Sequence, residues 1–325
     1  MIPTLAFKSL ILPHCDLTKP SFTMTSMQLI PLPHLAILDV TGDDAQTFLQ
    51  NQVPSDIRLL NPARAQISGW CTAKGRLLTT FVIWPISGGY RLVLAGDIRD
   101  SIAKRLKMYV LRLKVQVAIS DDGVYGLLNP ATMLGDLTLP VSDWQVAASN
   151  GLTAVRLDPS RCLITASTVA MSALATPLPT GTTEAWVRTD IEQGFPLVTQ
   201  ATSEHYVPQM VNLDKLGGVS FKKGCYPGQE IVARTHYLGK IKRHLYRVTA
   251  PQPIQAGQEV RATALNGQSC GSLVSTAPAA DGSQWLALAV LQQDAVEGSI
   301  YVQTAQGDIG LQWVELVLPD DPPKA

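Results

Sequence analysis

Ordered alternation of hydrophobic and polar positions begins near Leu35. Leu35-Ala36-Ile37-Leu38-Asp39-Val40 reads as a strand, punctuated by Gly42. Asp43 then stands at a helix start, Gln46 takes the capping-box position, and Ala45, Phe48 and Leu49 form one apolar stripe. Residues 64–95 read as a β-meander: Leu77–Trp84 is dense in β-formers, with turns at Lys74-Gly75 and Ser87-Gly88-Gly89. Asp97 is placed to cap the next helix, along which Ile98, Ile102, Leu106 and Tyr109 share a face. Val115–Ile119 and Val124–Leu128 are further strands, and Thr153–Leu157 with Cys162–Thr165 makes a hairpin about Asp158-Pro159. The Pro-, Thr- and Gly-rich stretch 172–183 is a loop. Its end, Thr183, caps a short helix through Trp186, Val187 and Ile191 that Gly194 stops. From residue 248 no helical period survives. Trp285–Leu291, Ser299–Gln303 and Gly310–Val317 alternate with glycine turns, the texture of a small β-barrel or sandwich.

Composition adds bounds. At 325 residues and 46% hydrophobic content, the chain exceeds one ordinary core and is too apolar for disorder. Two or three domains are expected. No apolar run approaches the ~20 residues that span a bilayer. Residues 1–26 hold only Leu10-Ile11-Leu12 before Pro13, short of a signal peptide's apolar core, and read as a disordered extension with Met24 or Met27 as alternative starts. Cys15, Cys71, Cys162, Cys225 and Cys270 are odd in number with no C-x-x-C pair. That argues against a disulfide framework, a zinc knuckle or another resident metal, and for a reducing cytoplasm. There is no Gly-rich phosphate loop and no H-E-x-x-H.

The formal net charge of zero first suggests a protein indifferent to anions, but it is a cancellation. Residues 1–221 are balanced. Residues 222–247 carry seven basic residues against Glu230 alone, and residues 248–325 carry two against eight acids. Arg99, Lys104, Arg105, Lys107, Arg112 and Lys114 add a second basic run against Asp100. Such a distribution suits a solvated face balanced by an acidic domain, and equally a site for a carboxylate-bearing cofactor or RNA.

The most informative stretch runs Phe221-Lys222-Lys223-Gly224-Cys225-Tyr226-Pro227-Gly228-Gln229-Glu230-Ile231-Val232-Ala233-Arg234. Gly224 and Gly228 bracket a tight turn, Pro227 suits a first helical turn, and good helix formers follow. Cys225 then falls at or just before a helix N-terminus, behind two lysines, where the dipole and the cations favour thiolate. A single cysteine is also often a small buried apolar side chain. His236 and His244 lie downstream as weaker proton-transfer candidates, with no nucleophile triad evident.

Lys-Lys-Gly-Cys-Tyr-x-Gly-Gln-Glu resembles the signature of the YgfZ family of folate-binding, tRNA-modification-linked proteins, relatives of the glycine-cleavage T-protein (aminomethyltransferase). The resemblance runs from about Leu35 to the C-terminus. It includes Val40–Ala45 with Phe48–Gln52, Cys71–Arg76, Ile191–Pro196, Pro208–Leu213 and Leu216–Phe221.

It implies an α+β fold. Two interleaved T-protein-type modules (27–240) and a C-terminal antiparallel β-barrel (241–325) would surround a central hole that takes tetrahydrofolate or another folate derivative. By position, Trp186 matches a folate-site tryptophan and Glu192 a carboxylate that pairs with the pterin ring. Leu35 replaces a family tryptophan, removing one ring from the site. Lys223 and Arg234 are the expected partners of the glutamyl carboxylates. Cys225 is the residue on which the family relies, set in a turn of Lys222, Gly224, Tyr226, Gly228, Gln229 and Glu230.

The function implied is a folate-dependent accessory role toward iron–sulfur enzymes, including those that thiolate tRNA, with Cys225 as a reactive thiol. It is not a classical enzyme's role. The alternative is one-carbon transfer of the T-protein type, for which the turn Leu94-Ala95-Gly96-Asp97 offers an acid already committed to capping. Plain RNA binding ranks third: aromatics are 6% and no RNA-binding signature appears, leaving at most a weak RNA contact, with no DNA or membrane partner.

Overall fold

The structure, a computed structural model, describes residues 26–174, 178–239, 241–296 and 298–314. The expected extension over 1–26 lies, but for Ser26, outside them, as do Cys15, Met24, Lys240 and the end of the last predicted strand.

The chain forms β1 (Gln28–Pro31), β2 (Leu35–Thr41), α1 (Ala45–Gln50), β3 (Gln66–Cys71), β4 (Leu77–Ile86), β5 (Gly89–Ala95), α2 (Arg99–Val110) and β6 (Gln116–Ser120). There follow β7 (Gly123–Leu128), β8 (Met133–Leu134), β9 (Leu137–Thr138), β10 (Val146–Ser149), β11 (Leu152–Asp158), β12 (Arg161–Ala166), α3 (Thr168–Ser172), α4 (Thr183–Glu192) and α5 (Gln229–Tyr237). The last strands are β13 (Arg243–Ala250), β14 (Glu259–Ala262), β15 (Ser269–Pro278), β16 (Trp285–Gln292), β17 (Ile300–Thr304) and β18 (Gly307–Val314).

Two antiparallel sheets are interleaved in sequence. One is ordered β3-β4-β5-β2-β6 and the other β1-β7-β12-β11-β10. The crossing is made by β1, which pairs with β7 (Gln28 opposite Leu128) before the chain turns back to build the first sheet from β2. This strand precedes the predicted start at Leu35. Four residues ending in Pro31 carry too little alternation to announce it.

The side-chain period of two sorts β2, β4 and β5 onto two cores. Leu38, Val40, Ile83, Leu92 and Leu94 face α1 and α2, while Ile37, Val82, Trp84 and Val93 face the second sheet. From that sheet Val124, Val155, Leu157 and Leu163 meet them, so the sheets pack face to face. The other face of the second sheet is covered by the β8–β9 hairpin and α3. Strands β13-β16-β15-β14-β17-β18 close into a six-stranded antiparallel barrel around its own apolar interior. Helix α4 stands where the three units meet, touching β1, β15 and β16, and Arg188 donates to Pro278 O across 3.1 Å.

Local caps differ from expectation in three places. Asp43 and Gln46 form no capping box: Asp44 is the N-cap residue of α1, its carboxylate accepts from Lys114 N–H, and Gln46 Nε2 donates to Tyr90 Oη. The tertiary partners across the sheet outcompete the local ones. Asp97 accepts from Gln200 N–H at 3.1 Å, and α2 has no side-chain cap. Thr182, one residue ahead of the expected Thr183, caps α4 by accepting from Ala185 N–H.

Candidate functional site

The layer between the sheets contains a cavity of about 30 Å3 lined by Leu35, Thr80, Trp186, Asp190, Phe195 and Leu197, among others. Helix α4 delivers two of these. Trp186 and Asp190 are four residues apart and share a face, whereas Glu192 lies about 240° around the helix from Trp186. Glu192 is accordingly exposed and Asp190 buried. The carboxylate inside the cavity is thus Asp190, and Glu192 lies outside it.

The end of α4 places the next wall. Gly194 adopts φ +66°, its N–H donates to Ile191 O (3.2 Å), and Phe195 N–H donates back to Asp190 O (2.8 Å). This turn reverses the chain so that Phe195 faces the helix it has just left. Thr80 pins the continuation: its hydroxyl donates to Pro196 O (2.8 Å) and accepts from Val198 N–H (3.0 Å).

Arg161, the first residue of β12, is 1% exposed and holds Asp190 without itself lining the cavity. Nη1 donates to Asp190 Oδ1, and Nε donates to Asp158 Oδ2 at 2.5 Å. Its guanidinium carbon lies 5.3 Å from the Trp186 ring and 5.4 Å from the Phe195 ring, a cation between two aromatic faces. On the strand side, a Cβ at Gly126 would come within 2.2 Å of the Trp186 ring, so β7 passes the indole only as glycine. Trp186 therefore packs against both a strand and a guanidinium. Burial pushes the Asp190 carboxyl up to about 6 despite Arg161. Against the opposing pull of burial, Arg161 and Ser160 hold Asp158 below the usual carboxylate range.

The Cys225 turn is built separately. Lys223 is buried, and its ammonium donates to Gln50 O (2.6 Å), Val53 O (2.5 Å) and Ser55 O (2.9 Å), with the Tyr226 ring 5.3 Å away. Its three donors are spent inside the protein, so the expected pairing of Lys223 with a ligand carboxylate is overturned. Burial lowers this ammonium to about 8. Gly228 takes φ +83°, and a Cβ there would meet Thr72 O at 2.5 Å and Gly75 Cα at 2.6 Å. Two stretches distant in sequence, 71–76 and 222–230, thus lock together through glycine. Cys71 beneath them is buried, and its thiol is pushed up to about 12.

Cys225 itself is exposed. Helix α5 starts at Gln229 with Gly228 as N-cap, so Cys225 and Pro227 sit in the turn ahead of the helix rather than at its first residues. Lys222, Gly224, Glu230 and Arg234 are exposed, and Tyr226 is buried. The His236 ring stacks on Phe221 at 3.7 Å and 15°, a packing role.

Leu35 and Trp186 are the anticipated residues that the structure brings to the cavity. Arg161, Asp190 and Phe195 were not anticipated. The phase of α4 could have shown Asp190, and the turn signal at Gly194 could have shown Phe195. Arg161 meets Asp190 only through the tertiary fold.

No family model matches the chain. Among solved structures it is similar to the glycine cleavage system aminomethyltransferase T from Bartonella henselae, at TM-score 0.67 and 14% identity over 89% of this chain and 85% of that chain. A heterotetrameric sarcosine oxidase from Corynebacterium sp. U-96 overlaps at TM-score 0.33 and 13% identity over 46% of this chain and 86% of that chain, too little to carry an argument. The chain thus has the T-protein-like fold: a mixed arrangement of interleaved sheets with few helices and a closed six-stranded barrel. Among the described residues no helix is long and apolar enough to cross a membrane.

Proposed function

We propose that this protein binds a folate-type ligand, tetrahydrofolate or another folate derivative, in the cavity between its sheets. We further propose that it acts as an accessory to iron–sulfur enzymes, including those that thiolate tRNA, with Cys225 as its reactive thiol. The observation that carries the first part is a buried carboxylate in an aromatic-walled cavity, within a fold shared with an aminomethyltransferase T. The resemblance of the Cys225 turn to the YgfZ signature supports the second part, and the exposure of Cys225 is compatible with it.

The donor set suits a flat nitrogen heterocycle. Asp190 gives Oδ1 to Arg161, and among the described residues its other oxygen has no hydrogen-bond partner, leaving an acceptor for a ring N–H edge. Phe195 and Leu35 supply apolar walls. The cavity has room for about one water, so a bicyclic ring enters as the half-buried Leu35, Phe195 and Leu197 move aside. Bound folate would supply a carrier for one-carbon units, and the chain's own part is to orient the ring and exclude water. One-carbon transfer by the chain itself gains no support from Asp97, which is exposed and accepts from Gln200 N–H.

Titration with tetrahydrofolate, followed by tryptophan fluorescence, tests the site. Asp190→Asn is expected to weaken binding at least tenfold and Glu192→Gln to leave it unchanged. The reverse pattern would return the role to Glu192, and no saturable binding by the wild type would end the folate reading. Restoration of thiolated tRNA in a deletion strain tests the second part. Full restoration by Cys225→Ala would remove the thiol from the mechanism.

A further inference from the structure

We propose a second ligand site, for a small molecule bearing carboxylate or phosphate oxyanions, in a cleft between the barrel and the start of β4. The cleft has a volume of about 500 Å3 and shares no lining residue with the cavity between the sheets. That volume falls within the range of small-molecule sites. Its cations are Arg76, from the turn leading into β4, and Arg243, the first residue of the barrel.

The charge balance gives the ligand class. The two acids on the lining, Glu204 and Glu259, are already matched from its edge: Glu204 pairs with Arg105 at 3.4 Å and Glu259 with Arg261 at 2.7 Å. Arg76 and Arg243 face no acid within ion-pair distance among the described residues. Arg76 Nη1 donates to His205 O at 2.5 Å, which satisfies one donor without neutralising the charge. Arg243 is half-buried, and among the described residues its side chain makes no hydrogen bond or ion pair. Two uncompensated guanidiniums therefore line one cleft, and each can grip a planar or tetrahedral oxyanion through two N–H groups.

Neutral donors complete the lining. Tyr206 Oη and Ser272 Oγ hydrogen-bond each other at 2.7 Å, and burial pushes the Tyr206 phenol up to about 12, so it remains a donor. Ser269 adds a hydroxyl. Two cations beside two or three hydroxyls suit an anion that also carries hydroxyl or carbonyl oxygens. Part of the positive excess of residues 222–247 is thereby placed at Arg243, away from Cys225 in the chain and outside the cavity between the sheets.

Calorimetric titration of the full-length protein with citrate and, separately, with inorganic phosphate, at constant ionic strength, tests this. Saturable binding of at least one anion is expected, with citrate alone assigning a carboxylate ligand and phosphate alone a phosphate ligand. Arg243→Gln should weaken it at least tenfold, and Arg76→Gln is the second variant, read the same way if Arg243→Gln loses its fold. Arg112→Gln, an exposed cation on the loop after α2, should bind as the wild type does. No saturable heat with either anion, undiminished binding by the cleft variants, or an equal loss in Arg112→Gln would overturn the proposal.

Discussion

Arg161, between the sheets, and Lys223, ahead of α5, are both buried cations, and they are held in opposite ways. Arg161 is answered by the charges of Asp158 and Asp190 and by two aromatic faces. Lys223 is answered by three main-chain carbonyls and one ring. A guanidinium that shares a carboxylate leaves the second carboxylate oxygen without a hydrogen-bond partner among the described residues. An ammonium divided among three carbonyls leaves nothing to offer. The first region keeps reactive polarity in an apolar setting, and the second consumes it to fix a turn on which Cys225 is displayed. The lysine inside the recognisable motif is the brace, and the buried Arg161–Asp190 pair lies outside every motif.

Removing each cation is the strongest way to break this comparison. Arg161→Leu leaves two carboxylates without their counter-charge and should cost about 3–5 kcal/mol. Lys223→Met leaves carbonyls without donors but no orphaned charge, and should cost about 1–3 kcal/mol. Urea unfolding of both variants gives the ranking. A costlier Lys223→Met would mean that the turn, and not the inter-sheet cluster, holds the molecule together.

The pH response sharpens the contrast with a smaller effect. Asp190 releases its proton near 6 in the folded chain against 3.8 for a free carboxyl. Between those values the folded state binds more protons, so this group's contribution to stability falls as pH rises from about 4 to about 6. Lys223 releases its proton near 8 against 10.5. There the folded state binds fewer protons, so its contribution grows as pH rises from about 8 to about 10.5. Urea midpoints of wild type minus Asp190→Asn, and of wild type minus Lys223→Met, should therefore slope in opposite directions in the two windows. Slopes of the same sign would show that one of the two groups is not desolvated as described.

How far the sequence shows this depends on the distance over which each feature is made. The meander, α2, α4 and the barrel strands β16, β17 and β18 are local periodicities, and they were legible, whereas β13, β14 and β15 were not. Strand β1 was not, because its partner β7 lies some hundred residues on and its own four residues carry little pattern. The cavity divides in the same way. Trp186 was visible on its helix, and so in principle was Asp190, four residues on, but positional likeness pointed to Glu192, whose phase on α4 turns it outward. Arg161 meets Asp190 across 29 residues, and Arg76 meets Arg243 only when the barrel closes against the first sheet. Lys223 shows the opposite failure: a motif lysine read as a ligand partner is spent on carbonyls of the last residue of α1 and the stretch after it.

Cys225 should show the smallest effect on stability and the largest on reactivity. It is exposed, so Cys225→Ala should shift unfolding by no more than about 0.5 kcal/mol. Cys71, Cys162 and Cys270 are buried, and burial raises each of their thiols, so none should react before unfolding. In a Cys15→Ser background, an aromatic disulfide reagent should therefore modify one thiol quickly and the other three only in urea, and adding Cys225→Ala should abolish the fast phase. A fast phase that survives would place a second thiol within reach of solvent, most directly Cys71 beneath the Gly75–Gly228 contact. The brace at Lys223 would then be holding a turn that opens, and the division between a rigid support and a displayed thiol would fail. A fast phase lost with Cys225, and stability unchanged, would leave that thiol as the one part of the turn free for chemistry.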